Sequence, residues 1–133
     1  MQQNAAGPAL IVERHPFLES FLRHELQRAG HDVVVSRSAS AATLTSVCPA
    51  TIVIGLSGSG RRPLEAIRRA RRERADAYIL AIVDRDDPAW KALALAMGAN
   101  VVLGPADGRA TLMKAIQIGS APRQENLLLR RTS

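Results

Sequence analysis

Short apolar runs alternate with amphipathic stripes along most of this chain. Five runs rich in Ile, Leu, Val and Ala are typical of β-strands, and the segment after each run carries apolar residues at helical spacing. The predicted strands are Ala9–Glu13, Asp32–Ser36, Thr51–Gly55, Tyr78–Val83 and Val101–Leu103. The predicted helices begin at Pro16, Ser38, Pro63, Pro88 and Arg109 and end near Ala29, Val47, Arg74, Met97 and Ile118. This alternation predicts a parallel sheet that is covered by helices on both faces and joined by right-handed crossovers.

One domain of residues 9–118 contains all of these elements, with a tail of residues 1–8 before it and a tail of residues 119–133 after it. The chain has 133 residues, of which 47% are hydrophobic, and this suits a single globular core. Its single cysteine, Cys48, allows no internal disulfide. No apolar run approaches the roughly 20 residues of a membrane helix, and we see no signal peptide. We therefore expect a cytoplasmic, single-domain protein.

Positive charge is concentrated on the third predicted helix. The net charge of the chain is +6, and the stretch from Arg61 to Arg74 holds seven arginines and two glutamates. The seven arginines of this basic patch are Arg61, Arg62, Arg68, Arg69, Arg71, Arg72 and Arg74. Two interpretations remain open: the patch is a solvated helix face, or it is a surface that binds nucleic acid or an acidic protein.

A glycine-rich loop, Gly55–Arg62, joins the third strand to this basic helix. It has the outline of a phosphate-binding loop, but Arg61 and Arg62 stand where that motif requires Lys and then Ser or Thr. The loop is either a flexible surface loop or a place where backbone N–H groups capture an anion or a nucleotide. The histidines and Cys48 have no metal-ligand spacing, and no catalytic constellation is present. We therefore expect neither an enzyme nor a bound cofactor.

Several segments together are similar to a known family. The five βα units, the segments LIVERHPF, CPATIVIG and YILAIVD, the helix exit AMGAN and the strand exit VVLGP resemble a response-regulator receiver domain of the CheY-like type. The resemblance spans about Ala9–Gln117. It implies a doubly wound α/β domain, the flavodoxin-like (βα)5 fold, with a five-stranded parallel sheet in the order 2-1-3-4-5. It also implies a role in two-component signal transduction, where a phosphoryl group is transferred to an aspartate.

The resemblance places the family's reactive groups at the ends of the first and third strands. The acidic pair that holds magnesium falls on Glu13 and Arg14, so only one acid remains and a cation stands beside it. The acceptor aspartate falls on Gly55, which has no side chain to phosphorylate. Magnesium needs several oxygen ligands in near-octahedral geometry. Glu13 alone is therefore expected to be a poor magnesium site.

The remaining family positions lie at the ends of the fourth and fifth strands. The hydroxyl residue that hydrogen-bonds the phosphoryl group falls on Val83, and the lysine that pairs with the phosphoryl oxygens falls on Gly104. Only the proline that follows the lysine is kept, as Pro105. We interpret the chain as a degenerate pseudo-receiver that keeps the scaffold, lacks the phosphorylation chemistry and acts through protein–protein interaction.

The fourth predicted helix, Pro88–Met97, is apolar nearly all round, with Lys91 as its only charge. In receiver domains this helix, the fifth strand and the fifth helix form a common dimer and partner face. We therefore expect a protein partner or a second copy of the chain on that face, although ordinary core packing would also explain the pattern. The candidate interface residues are Trp90, Leu93, Ala96 and Met97.

Overall fold

Five parallel strands form one sheet in the order 2-1-3-4-5, which confirms the predicted fold. The computed structural model describes residues 6–13, 15–56 and 62–121, and of residues 62 and 63 only the backbone. The strands are β1 (Pro8–Val12), β2 (Asp32–Ser36), β3 (Thr51–Leu56), β4 (Tyr78–Val83) and β5 (Val101–Leu103). The helices are α1 (Pro16–Arg28), α2 (Ala41–Val47), α3 (Arg62–Glu73), α4 (Pro88–Met97) and α5 (Gly108–Gly119). A short 3-10 turn, Pro105–Asp107, precedes α5.

The sheet separates two apolar layers. The first layer packs under α2, α3 and α4, and it takes Leu10 and Val12 from β1. The second layer packs under α1 and α5, and it takes Ala9 and Ile11 from the same strand. Both faces of a strand covered by helices must be apolar. This explains why β1 is a continuous apolar run in the sequence.

Polar contacts tie the end of α5 to the amino-terminal edge of the sheet. The hydroxyl of Tyr78 donates to the carbonyl of Ala115 at 2.9 Å, and burial raises the pKa of this phenol, so it stays protonated. Buried His31 donates from Nδ1 to the Gly7 carbonyl at 2.8 Å and contacts the Ser120 hydroxyl through Nε2 at 2.7 Å. These contacts hold the edge of the sheet where the strands begin. The candidate functional site lies at the opposite edge, where the strands end.

Arg71 joins three elements on the face of the sheet that α2, α3 and α4 cover. Its guanidinium donates to four backbone carbonyl groups and to the side-chain oxygen of Asn100, 2.7 Å away. The carbonyl groups are those of Gly98 (2.9 and 3.0 Å), Arg74 (3.2 Å), Ala75 (2.9 Å) and Ala77 (2.8 Å). The Asn100 oxygen also accepts the N–H of Ile79 at 2.7 Å. One side chain thus holds together the end of α3, the turn after α4 and the start of β4.

We expect Arg71→Ala to lower the free energy of unfolding by about 2 kcal/mol or more, because it leaves carbonyl groups without a charged donor. Exposed Arg72 is the matched control, and Arg72→Ala should change that free energy by no more than about 0.5 kcal/mol. Urea denaturation of both variants measures the difference. Equal stabilities would show that the Arg71 contacts contribute nothing net.

Candidate functional site

The carboxyl ends of four adjacent strands meet at one edge of the sheet, where an open α/β fold places its chemistry. Glu13 follows β1, Gly55 lies in β3, Val83 ends β4 and Gly104 follows β5. The structure therefore brings four of the predicted positions to a single edge. Of the other two predicted positions, Pro105 follows Gly104 directly, and Arg14 lies outside the described residues.

The side chain of Glu13 lies across Gly55. Glu13 is only 6% exposed, and its Oε2 accepts the backbone N–H of His15 at 2.8 Å. A Cβ atom built on Gly55 would lie 1.5 Å from Glu13 Oε1 and 2.6 Å from Glu13 Cδ. The carboxylate thus fills the space in which any side chain at position 55 would begin.

From the sequence, Glu13 is expected to be an isolated, poor magnesium ligand and Gly55 an empty position. The strand register brings the two together, because Val12 pairs with Ile54 and the next residues therefore lie side by side. A long acidic side chain at the end of one strand, opposite a glycine at the end of its neighbour, was the available signal. This signal could be interpreted only with the strand register, which the sequence alone did not supply.

The end of β4 presents only apolar side chains to this edge. Val83 is buried in the first core layer and pairs with Leu56, whereas Ile82 pairs with Gly55. Ile82 is therefore the β4 residue that shares a sheet face with Gly55, since side chains alternate along a strand. Neither Val83 nor Ile82 can donate a hydrogen bond to a phosphoryl group.

A charged cluster occupies the space beside Gly104. A Cβ atom built on Gly104 would lie 2.2 Å from Asp86 Oδ1 and 3.1 Å from Lys91 Cε. Asp86 accepts from Lys91 Nζ at 3.0 Å and from the Ala106 N–H at 2.9 Å. Asp107 accepts the Gly104 N–H at 2.7 Å and lies 3.7 Å from Lys91 Nζ. The cation near the end of β5 is thus supplied by α4, and its charge is met by two carboxylates.

Both members of the main pair are held in their charged forms. The hydrogen bond from Lys91 lowers the pKa of Asp86, with the Ala106 N–H acting in the same direction. The hydrogen bond to Asp86 raises the pKa of Lys91 in turn. Pro105, the one family position that is kept, opens the 3-10 turn that places Ala106 and Asp107 against this pair.

The residues present do not fit a magnesium ion, which the resemblance implied for this edge. One oxygen of Glu13 takes the His15 N–H, and the other is packed against Gly55. The oxygens of Asp86 are occupied by Lys91 and Ala106. Within residues 6–13, 15–56 and 62–121, no group of three His, Cys, Asp or Glu side chains could hold a metal. The described donor set therefore lacks the several free oxygens that magnesium needs.

The basic patch divides into external and internal arginines. Arg68, Arg69 and Arg72 are exposed, and none of them makes an ion pair within the described part of the chain. Arg71 is used internally, as described above, and Arg74 donates to the Pro49 carbonyl at 3.1 Å. Arg61 and most of the Gly55–Arg62 loop lie outside the described residues, and for Arg62 only the backbone is described.

The predicted interface on α4 divides in a similar way. Trp90 and Met97 pack against the first core layer, whereas Leu93 and Ala96 are exposed. Leu93 is 44% exposed, and Leu95, which the sequence analysis did not include, is 50% exposed. Core packing and an unpartnered apolar surface are thus both present on this helix.

A groove of about 510 Å³ between α1 and α5 was not predicted. Phe17 and Phe21 line it on one side, and Arg109 and Leu112 line it on the other. The Arg109 guanidinium lies 5.0 Å from the centre of the Phe21 ring, within cation–π range, and Phe17 is 82% exposed. The groove opens at the same edge as Gly104.

Comparisons with known proteins give no match to a family model and none to a curated protein. Solved structures do match. A LuxR-family two-component response regulator from Aurantimonas superimposes with a TM-score of 0.71 at 24% identity, covering 86% of this chain and 84% of that one. The chemotaxis protein CheY4 of Vibrio cholerae gives 0.71 at 21% identity, covering 84% and 97%. This chain has the receiver-domain fold.

A third match with the same receiver fold comes from a different setting. A protein described as pilus assembly-related, from Burkholderia pseudomallei, superimposes with a TM-score of 0.72 at 16% identity, covering 91% of this chain and 94% of that one. At these identities the likeness establishes the fold alone. In the described part of this receiver fold, no helix has the length and apolar character needed to cross a bilayer.

We expect Gly55→Ala to lower the free energy of unfolding by about 1–2 kcal/mol, because the new methyl group displaces the Glu13 carboxylate from its hydrogen bond. The same substitution in a Glu13→Ala background should cost much less, which gives a coupling of about 1 kcal/mol in a double-mutant cycle. Urea denaturation of the four proteins measures this coupling. An equal cost in both backgrounds would contradict the close contact of these two residues.

We expect the stability difference between the wild type and Asp86→Asn to depend on pH. The lowered pKa of Asp86 means that its contribution is present above about pH 3.9, the ordinary value, and is lost as the pH falls toward the lower folded-state pKa. The raised pKa of Lys91 means that its contribution is present below about pH 10.4 and is lost at higher pH.

The difference should therefore be constant between about pH 5 and 9 and should shrink on both sides of that range. Urea titrations across this range measure it. Glu73→Gln, at an exposed residue without a described ion pair, is the control for the loss of one carboxylate charge. A difference for Asp86→Asn that does not change with pH would argue against the pair.

Proposed function

We propose that this chain is an atypical response-regulator receiver module that acts by binding a protein partner, without aspartyl phosphorylation. The position of Glu13 carries the proposal. Its carboxylate lies where the acceptor side chain would begin, and Gly55 offers nothing to phosphorylate. The receiver fold, shared with response regulators and a chemotaxis protein, supports a signalling role.

The rest of the edge supports the same proposal. An acceptor site needs a metal, a hydroxyl donor and a free cation to neutralise the phosphoryl oxygens. Here the described oxygens do not fit magnesium, the end of β4 is apolar and Lys91 is paired with two carboxylates. We infer that this domain catalyses no reaction and acts through the surfaces that it presents to other molecules.

The face formed by α4, β5 and α5 is the surface we propose for partner or self-association. Leu95 is exposed on the side of α4 that carries Lys91 and faces β5, and Ile118 is exposed on α5. Large apolar side chains that are exposed in this way favour contact with protein.

Incubation with acetyl phosphate and magnesium tests the central claim. The intact mass should remain unchanged, while a receiver domain with its acceptor aspartate, treated in parallel, should gain a phosphoryl group. A mass increase that hydroxylamine removes would reveal an acyl phosphate and would overturn the proposal. Peptide mapping of that adduct would then identify the acceptor.

A further inference from the structure

Two exposed arginines border the line where α3 meets α4. Arg71 reaches from α3 to the Gly98 carbonyl, directly after α4, and so defines the side of α3 that faces α4. Arg68 precedes Arg71 by three residues and Arg72 by four, so the three side chains share one side of the helix. Arg68 and Arg72 are exposed, without an acidic partner in the described part of the chain.

An exposed apolar row borders the same line on α4. Trp90 and Met97 pack into the core layer that also holds Ile67 and Ala70 of α3. Leu93 follows Trp90 by three residues and precedes Met97 by four, so it continues this row outward. Leu93 is 44% exposed, and Ala89 and Ala96 extend the row at helical spacing.

The single charge of α4 does not interrupt this row. Lys91 points to the opposite side of the helix, where it contacts Asp86 and Asp107 beside β5. Leu95 is four residues from Lys91 and lies on that opposite side as well. The border of α3 and α4 therefore presents a positive row, Arg68 and Arg72, beside an apolar row of Ala89, Leu93 and Ala96. We call these two rows the α3–α4 surface.

The chemistry of the α3–α4 surface favours a partner that is both acidic and apolar. Nucleic acid would use the arginines but would leave the apolar row uncovered. The described residues of α3 and α4 also offer no exposed aromatic ring on which bases could stack. An amphipathic helix with an acidic flank covers both rows at once, in the helix-in-groove mode.

We propose that the α3–α4 surface binds an acidic amphipathic helix of a partner protein. This inference rests on the proposed function, because it names the chemistry of the partner that the module recognises. The acidic flank pairs with Arg68 and Arg72, and the apolar seam covers Leu93 and its neighbours.

Selection of a random peptide library against the whole chain tests this inference without knowledge of the natural partner. Enriched peptides should carry net negative charge and apolar residues at spacings of three and four. Arg68→Glu together with Arg72→Glu should weaken their binding by about tenfold or more. The control, Arg37→Glu with Lys114→Glu, makes the same charge change at exposed positions on other elements and should stay within about threefold of the wild type.

A second pair of variants tests the apolar row. Leu93→Ser should weaken the same peptides by about tenfold, because it removes a central apolar contact. Val34→Ser is the matched control, since Val34 is similarly exposed (40%) but lies on β2, at the edge of the sheet far from α4, and it should leave peptide binding nearly unchanged. Circular dichroism and urea denaturation check that each variant folds, and Arg68→Gln with Arg72→Gln provides a milder version of the charge test.

Three results would overturn the inference. They are enriched peptides that are not acidic, acidic peptides that the Arg68/Arg72 variant binds as well as the wild type does, and duplex DNA that binds through these arginines while no acidic peptide is enriched. The phosphodonor experiment separates this inference from the proposed function. Loss of the peptide result with an unchanged mass removes only the α3–α4 surface. A phosphoryl adduct with peptide binding intact removes only phosphorylation independence.

Discussion

The contact between the Glu13 carboxylate and Gly55 determines which groups occupy the edge of the sheet where the carboxyl ends of the strands meet. A carboxylate that is 6% exposed must keep hydrogen-bond donors, and the His15 N–H supplies one of them at 2.8 Å. That bond holds the acid over Gly55, and only a residue without Cβ leaves the room it needs. The glycine and the acid are therefore one feature, since each makes the other possible.

The same physical solution recurs at the end of β5. Gly104 leaves room for Asp86, and Asp86 draws in Lys91 and the N–H of Ala106. The acidic side chains at this edge are therefore not left unpaired, because hydrogen-bond donors and a cation lie in contact with them. Opposite charges in contact stabilise each other's ionised forms, which agrees with the lowered pKa of Asp86 and the raised pKa of Lys91.

A parallel sheet covered by helices followed from the sequence because its signals are local, whereas the strand order 2-1-3-4-5 followed from the resemblance to receiver domains. Alternating apolar runs and helical stripes predict strands and helices, and the crossover rule then restricts their arrangement. The positions at the strand ends followed as well. What fills them did not, because Glu13 meets Gly55 only through strand register and Asp86 meets Gly104 across a gap of 18 residues.

The arginines are a second case in which the sequence predicted the position of a group but not its contacts. Seven arginines in one stretch suggested a single basic patch, yet Arg71 and Arg74 donate to backbone carbonyl groups. A guanidinium can serve as a surface charge or as a fork that ties loops together, and the residue type alone does not distinguish these uses. On α4, the apolar pattern likewise did not separate Trp90 and Met97, which pack on the core, from Leu93, which does not.

Because Glu13 and Asp86 fill the space beside the two glycines at this edge of the sheet, little room is left beside Gly55 and Gly104 for a ligand or a modification that would change the conformation. A ligand or modification shifts a conformational equilibrium only by its differential affinity for the two states, and Gly55, covered by Glu13, has no side chain that a modification could use. The amino-terminal edge is held as well, through Tyr78 and His31. Under the proposed function, regulation belongs to the surfaces, where the presence and concentration of a partner decide how much of the module is bound.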